Sequence, residues 1–256
     1  MFGIERLQAI REILLDKKTV DVPSLSKMLS VSEVTIRRDL DKLEKEGFIV
    51  KTYGGAMLKE QQLNQLLMET KNVSINKEDG AIAEIAASMV GNNEVIFLGG
   101  GAICTEISKY LKDKQGVVVV TNNLFVAMNL YQQTNIKVIL TGGELRSFTG
   151  TLIGNDAVNT LKGVLIQKAF FTVQGIDIDV GYTVNNTEDI FLFQTIKSVS
   201  KQLILTANHT IFGKIGLTKL FSMDEIDEVI TDKRIPDAYK QYYYDNNIKL
   251  YTAYKV

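Results

Sequence analysis

The sequence predicts a small α+β winged helix-turn-helix domain followed by a larger α/β domain with a mostly parallel sheet. Three observations carry this. Helical periodicity in the first sixty residues is broken by a tight Ser30-Val31-Ser32 turn and closed by Gly54-Gly55. After residue 76 the pattern changes to short apolar runs alternating with helical stretches, as strands buried on both faces require. Nearly every one of those runs ends in a polar or glycine-bearing turn. The boundaries expected are 1–58 for the first domain, 59–75 for a polar linker and 76–256 for the second.

Composition sets outer limits. The 256 residues are 45% hydrophobic, enough for one large domain or a medium one with a small companion. Basic and acidic side chains number 29 and 30, so net charge neither advertises nor excludes nucleic acid. The single cysteine, Cys104, forbids an intramolecular disulfide and fits a reducing compartment. No apolar run reaches the ~18 residues needed to cross a bilayer. The first residues lack a signal-peptide pattern. A soluble cytoplasmic protein with no membrane partner is expected. No His/Cys cluster has metal spacing, so neither a metal nor a cofactor is expected.

In the first domain, Ile4, Leu7, Ile10, Leu14 and Leu15 recur at helical spacing, with Lys17-Lys18 in the last turn. Residues 20–22 read as a short extended link. Pro23 suits the first turn of a second helix that runs through Leu25 and Leu29. Ser32 is placed to cap a third helix, in which Ile36, Leu40 and Leu43 form the buried stripe. Thr35, Arg37, Arg38, Lys42 and Lys45 point elsewhere. Gly47 ends this helix. Residues 48–53 alternate as a strand and turn at Gly54-Gly55, giving the hairpin of a winged helix. A recognition helix presents its N-terminal residues to base edges, and arginine there can fork onto guanine or phosphate. Ser32, Thr35, Arg37, Arg38 and Lys42 are therefore the candidates for DNA contact. Lys51 and Tyr53, with Gly54 and Gly55 at the wing tip, are placed for the phosphate backbone. Charge alone does not carry this reading, since residues 1–58 hold ten basic and nine acidic side chains. The order of elements does.

Residues 31–56, VSEVTIRRDLDKLEKEGFIVKTYGGA, resemble the signature of DeoR-type bacterial transcriptional regulators. Thr35, Arg37, Arg38, Asp39, Leu40, Gly47, Gly54, Gly55 and Ala56 all fall in place. Tyr53 stands where the family usually has histidine, and keeps a hydrogen-bonding tip.

In the second domain, strands are expected at 95–98, 117–120, 137–140, 168–173, 202–205, 228–231 and 249–254. Helices are expected at 81–89, 103–111, 124–131 and 190–200. A parallel sheet lines its ligand crevice with the carboxyl ends of its strands. Gly99, Gly100 and Gly101, then Asn122 and Asn123, Gly142 and Gly143, Gly175 and Asp177, and Asn208 and His209 should converge there. The glycine loop 99–101 leads into a helix whose free N–H groups suit an anion. Arg146 and Thr149 add donors, so a phosphorylated small molecule is the expected ligand. The loop has neither the dinucleotide nor the P-loop spacing. Cys104 reads as a small packing residue, and His209 as a hydrogen-bonding residue beside the pocket.

The segments IFLGGG, VVTNN, LTGGELR, TGTLIGNDA, AFFTVQGID, GYT and LTANHTIFGK resemble the DeoR-type effector domain, which is similar in fold to ribose-5-phosphate isomerase and glucosamine-phosphate deaminase. The resemblance implies a sugar-phosphate sensor rather than an enzyme, and a repressor of a carbohydrate operon. Acting on double-stranded operator DNA, it should be a homodimer or homotetramer, because one recognition helix makes too few base contacts. The sequence departs from the pattern at Gly99, where the family usually has aspartate. Ala102-Ile103-Cys104 replaces a threonine-rich run and leaves Thr105. Asn208 and Ile211 stand where aspartate and lysine are frequent. These changes imply a more apolar pocket. The alternative is an isomerase or deaminase, with Asp177, Glu188 and His209 as the acid–base candidates.

Overall fold

The computed structural model describes residues 3–17, 19–58, 77–147 and 149–253. The linker expected at 59–75 lies outside the described residues. The chain divides into two compact units, Met1–Val73 and Ser74–Val256.

In the first unit, α1 (Gly3–Lys17), α2 (Val22–Leu29) and α3 (Glu33–Lys45) pack around Ile10, Leu14, Val22, Leu25, Ile36, Leu40 and Leu43. Asp21 caps α2 by accepting the Ser24 N–H at 2.7 Å, and Pro23 sits in the first turn. Ser30 takes a left-handed conformation (φ 53°) that ends α2. The wing is a three-stranded sheet, not a two-stranded hairpin. β1 (Thr19–Asp21) pairs antiparallel with β3 (Gly55–Leu58), which pairs with β2 (Ile49–Thr52). The residues read as a link therefore close an otherwise open edge of the hairpin, and Val22 already begins α2.

The second unit is built on seven strands: β4 (Val95–Leu98), β5 (Val117–Thr121), β6 (Ile136–Leu140), β9 (Ile166–Phe171), β12 (Ser200–Thr206), β14 (Glu228–Asp232) and β15 (Lys249–Ala253). Every pairing is parallel, in the order β6-β5-β4-β9-β12-β14-β15. Neighbouring residues along a strand enter opposite cores. Phe97, Phe171 and Leu205 pack on one face with α7 (Asn155–Lys162) and α8 (Glu188–Val199). Ile96, Leu98, Phe170 and Ile204 pack on the other with α4 (Lys77–Ser88), α5 (Ala102–Lys109) and α6 (Leu124–Leu130). The tyrosine-rich α9 (Asp237–Asp245) buries Tyr239 and Tyr243.

The strand order fixes where a ligand crevice lies. The chain winds outward from β4 to β6, then returns to place β9 on the other side of β4. The carboxyl ends of β4 and β9 thus diverge at a topological switch point. Two smaller pieces, unforeseen from the apolar pattern, cover this edge. One is the hairpin β7 (Glu144–Arg146) with β8 (Thr151–Ile153); the other is a sheet of β10 (Gly175–Asp177), β11 (Gly181–Val184) and β13 (Thr218–Phe221).

Candidate DNA-binding surface and effector site

α3 buries Ile36, Asp39, Leu40 and Leu43, half-buries Thr35 and Asp41 and exposes the rest. Asp39 accepts Arg6 Nε and Nη2 at 2.5 and 3.3 Å, so α1 clamps α3 from behind. That hydrogen bond, helped by the aspartate charge against partial desolvation, raises the Arg6 pKa. Ser32 Oγ accepts the Thr35 N–H at 3.3 Å and lies 2.9 Å from Thr35 Oγ1. Arg37 reaches back one turn to Glu33 at 3.6 Å, with both side chains about half exposed. The side chains of Arg38 and Lys42 are exposed and have no hydrogen-bond or ion-pair partner among the described residues.

In the wing, Lys51 Nζ lies 2.5 Å from Asp41 and 3.9 Å from Glu44, tying β2 to α3. The Lys51–Asp41 hydrogen bond is the main cause that raises the Lys51 pKa and lowers that of Asp41. Tyr53 stands fully exposed at the turn, followed by Gly54 at φ +98°. Gly55 has no room for a side chain, since a Cβ would sit 2.0 Å from the Val20 carbonyl oxygen of β1. All nine residues expected to meet DNA thus lie on α3, its cap or the wing. Sequence reasoning missed the burial of Asp39. Val34, exposed four residues before Arg38 on the same helix, was not singled out either.

At the switch point three segments meet. The Gly99 N–H donates to Phe170 O at 2.9 Å. A Cβ on Gly100 would lie 2.9 Å from Thr151 Oγ1 and 3.1 Å from Asn123 Nδ2, so the loop runs tightly against the β8 hairpin and the end of β5. Gly101 (φ +108°) begins α5, with no side chain capping it. Thr105 is buried in α5, its N–H donating to Gly101 O. Asn123 caps α6 through Oδ1, which accepts from Phe125 and Val126, and holds Thr149 O through Nδ2 at 2.9 Å. Asn122 is 3% exposed; its Nδ2 donates to Leu152 O at 3.2 Å, and its buried Oδ1 has no partner among the described residues. Gly142 and Gly143 are exposed and lead from β6 into the hairpin. Arg146, at the end of β7, is bonded to Glu188 at 3.0 Å and Asp189 at 3.1 Å.

The remaining candidates fall into two other groups. Gly175 and Asp177 form β10, and Asp177 Oδ1 accepts the N–H groups of Asp179 and Val180 at 3.0 Å. Asn208 and His209 follow β12. His209 directs both its N–H (2.7 Å) and Nδ1 (2.9 Å) at Asp232 Oδ2, and Asn208 Nδ2 donates to Asp79 Oδ1 at 2.9 Å. Burial pushes the Asp79 carboxyl up, opposed by the Asn208 bond and reinforced by the Asp232 and Glu78 charges. Burial also pushes Asp232 up. Hydrogen bonds from the His209 and Arg234 backbone and the His209 ring outweigh it and hold this carboxyl below the usual range. β12 lies two strands from β4, so His209 is roughly 10 Å along the sheet from the glycine loop. Asp232 and Asp79 were not foreseen; Asp232 ends an apolar strand, which was the only hint.

Cys104 is fully buried, 3.6 Å from Phe170 O and 3.9 Å from Thr206 Oγ1, and burial pushes its thiol up to about 12. It packs, as expected. Among the described residues no group of three or more His, Cys, Asp or Glu is placed to hold a metal ion. No described helix is long and apolar enough to cross a membrane.

Comparison with known proteins matches both units. Residues 6–62 fit the DeoR-like helix-turn-helix domain and residues 76–233 the DeoR C terminal sensor domain. The HTH-type transcriptional regulator GolR of Listeria innocua is 32% identical over 94% of this chain and 96% of its own. The glycerol-3-phosphate regulon repressor of Escherichia coli is 28% identical over 96% and 97%. Among solved structures, ribose 5-phosphate isomerase from Plasmodium falciparum aligns over 54% of each chain at 14% identity and a TM-score of 0.38, a level that says nothing about activity. With both of its units matched and its relatives aligned nearly end to end, the chain belongs to the DeoR family of helix-turn-helix transcriptional regulators.

Proposed function

We propose that this regulator is a repressor of a carbohydrate-metabolism operon, bound to operator DNA through α3 and the wing and released or tightened by a phosphorylated sugar or similar metabolite. The observation that carries the DNA half is that Arg38 and Lys42, on the face of α3 opposite its core, are exposed and have no partner among the described residues. Arg37 joins them by leaving a weak, solvent-exposed pair with Glu33. Ser32 and Thr35 sit at the base-facing end, while Lys51, Tyr53, Gly54 and Gly55 meet the backbone. A homodimer or homotetramer supplies the second recognition helix. Arg37→Ala with Arg38→Ala should lower affinity for a duplex selected from a random library at least about 100-fold, as two lost arginine contacts imply. Thermal stability should be unchanged. Undiminished binding by fluorescence anisotropy would refute this reading.

The effector half rests on Asn122. A buried acceptor without a donor is uncommon and calls for an explanation, and a ligand hydroxyl supplies one. In this reading the backbone of Gly99, Gly100 and Gly101 faces the phosphate at the start of α5, with Thr105, Asn123, Gly142, Gly143 and Thr149 shaping the wall. Arg146 is available only by sharing itself with Glu188 and Asp189. Gly175, Asp177, Asn208 and His209 bound the far side. A thermal-shift screen with sugar phosphates should give a stabilising compound whose effect is lost in Asn122→Ala.

The relatives are named as regulators, and one observation favours the enzymatic alternative: the His209–Asp232 pair resembles an oriented acid–base group. Asp177 and Glu188 are engaged by a turn and by Arg146, which leaves that pair without a second catalytic group. No turnover of ribose 5-phosphate or glucosamine 6-phosphate is expected.

A further inference from the structure

We infer that Val34 reads a base: its methyl groups meet the C5-methyl group of a thymine in the major groove, next to the contact made by Arg38. This rests on the DNA-binding reading of α3 and deepens it.

Val34 is the second residue of α3 and is 61% exposed. The helix buries Ile36, Asp39, Leu40 and Leu43. Val34 precedes Arg38 by four residues, so the two share one ridge, the one that faces away from that core. Asp41 and Lys45 continue the ridge. The polar side chains around Val34 have partners within the helix, Ser32 with Thr35 and Glu33 with Arg37. Val34 has none, and it projects from the end of a recognition helix that meets base edges.

Two ordinary explanations for a valine here do not hold. It does not pack on the core. As a β-branched residue it is also a poorer helix former than the alanine, glutamate or lysine that an exposed position would otherwise favour. A protein surface is a poor occupant, because the exposed residues next to the valine on α3 are the charged Glu33, Arg37 and Arg38. Those arginines, with Lys42, instead suit a polyanion. On the major-groove edges of DNA the apolar group is the thymine methyl.

The test begins by selecting random-sequence duplexes on the full-length protein. The selected duplex is then resynthesised with deoxyuridine for thymidine at one position at a time, which removes only the methyl group. In each half-site, one or two positions should weaken wild-type binding about fourfold, the effect of exposing one buried methyl. Val34→Ala, which removes the contact in both half-sites at once, should bind the thymidine duplex roughly 16-fold more weakly and no longer distinguish thymidine from deoxyuridine there. Val34→Thr, which keeps one methyl and the branched Cβ, should retain part of the discrimination. If the wild type binds the selected duplex but every deoxyuridine is silent, Val34 reads no methyl and the DNA-binding reading stands. The same holds if Val34→Ala keeps the wild-type profile. If no duplex is enriched, both fall. The scan on the wild type needs no variant, so a variant that folds poorly does not blunt it.

Discussion

Arg38 and Arg146 put the same guanidinium to opposite uses. Arg38 stands on the outer ridge of α3, exposed and unpartnered among the described residues. Arg146 is 24% exposed and gripped by Glu188 and Asp189, where it fastens the β7–β8 hairpin to the start of α8. The difference follows from what each region must meet. A DNA duplex is bound by exchanging counterions for cations that stay solvated and uncommitted until contact. A small ligand is bound best by groups already held in place, so the fold engages them first. Around the switch point that engagement is extensive. Asn123 caps a helix, Asp177 closes a turn and Asn208 holds Asp79. Asn122 Oδ1 is the conspicuous exception.

The sharpest way to break this comparison lies within α3. Asp39 adjoins Arg38 in sequence, yet it is buried and held by Arg6, whereas Asp41 is half-exposed on the outer ridge. If exposure separates function from structure, the two aspartates must behave differently. Asp39→Ala leaves a mostly buried arginine without its partner and should lower the melting temperature of the N-terminal unit by about 10 °C or more. Asp41→Ala, at a solvated pair with Lys51, should move it by no more than about 2 °C. Differential scanning calorimetry of the full chain reads both. Equal shifts would erase the distinction between inner and outer charges.

A milder test addresses the other arginine directly. Arg146→Ala removes a partly buried pair worth about 1 kcal/mol, which for a unit of this size is a loss of roughly 2–4 °C. Affinity for the selected duplex should stay within about twofold of wild type, since Arg146 belongs to the sensor unit. A loss of DNA binding matching that of the α3 arginines would show that the two guanidinia are not separate in function.

The same contrast explains what the sequence revealed. α3 was legible because cap, buried stripe and closing glycine are local signals within sixteen residues, Ser32 to Gly47. The long strands were legible because two buried faces leave unbroken apolar runs. The short strands β7, β10 and β11 were not, because three or four residues are too few to show an alternation; β7 pairs with its hairpin neighbour β8, β10 with its neighbour β11, and only the pairing of β11 with β13 is distant. α7 escaped notice because only Ala157 and Leu161 mark its buried face. β9 was expected to run on to Val173, since Thr172 and Val173 prolong its pattern, but the chain leaves the sheet at Phe171 for β10. In the candidate site, glycine and asparagine turns could be read locally. Their carboxylate partners could not, because Asp232 and Asp79 lie 23 and 129 residues from the groups they bind.

Those carboxylates supply the smallest expected effect, visible only on acidification. Asp232 is almost fully buried, and burial pushes its carboxyl up, but the hydrogen bonds from His209 and Arg234 prevail and hold it down. A carboxyl whose pKa is lowered by folding contributes stability that is complete above its unfolded value, about pH 4, and is lost as pH falls through the folded value. Asp79 has the opposite sign. Its carboxyl is raised by burial, so its ionisation costs stability above the unfolded value, and acidification through the raised folded value relieves that cost. The two partly cancel in the wild type. Asp232→Asn removes the first contribution and weakens the second, since the Asp232 charge is one of those that raise Asp79; the lost hydrogen bonds from His209 and Arg234 to a charged carboxylate are the larger change, so the variant should melt below wild type at pH 7. The gap should narrow as pH drops below about 4. Melting of the C-terminal unit within the full chain, followed between pH 3 and 7, decides between charge and shape. A gap that stays constant across that range would mean that Asp232 acts through shape alone, and that its charge, unlike that of Arg38, plays no part.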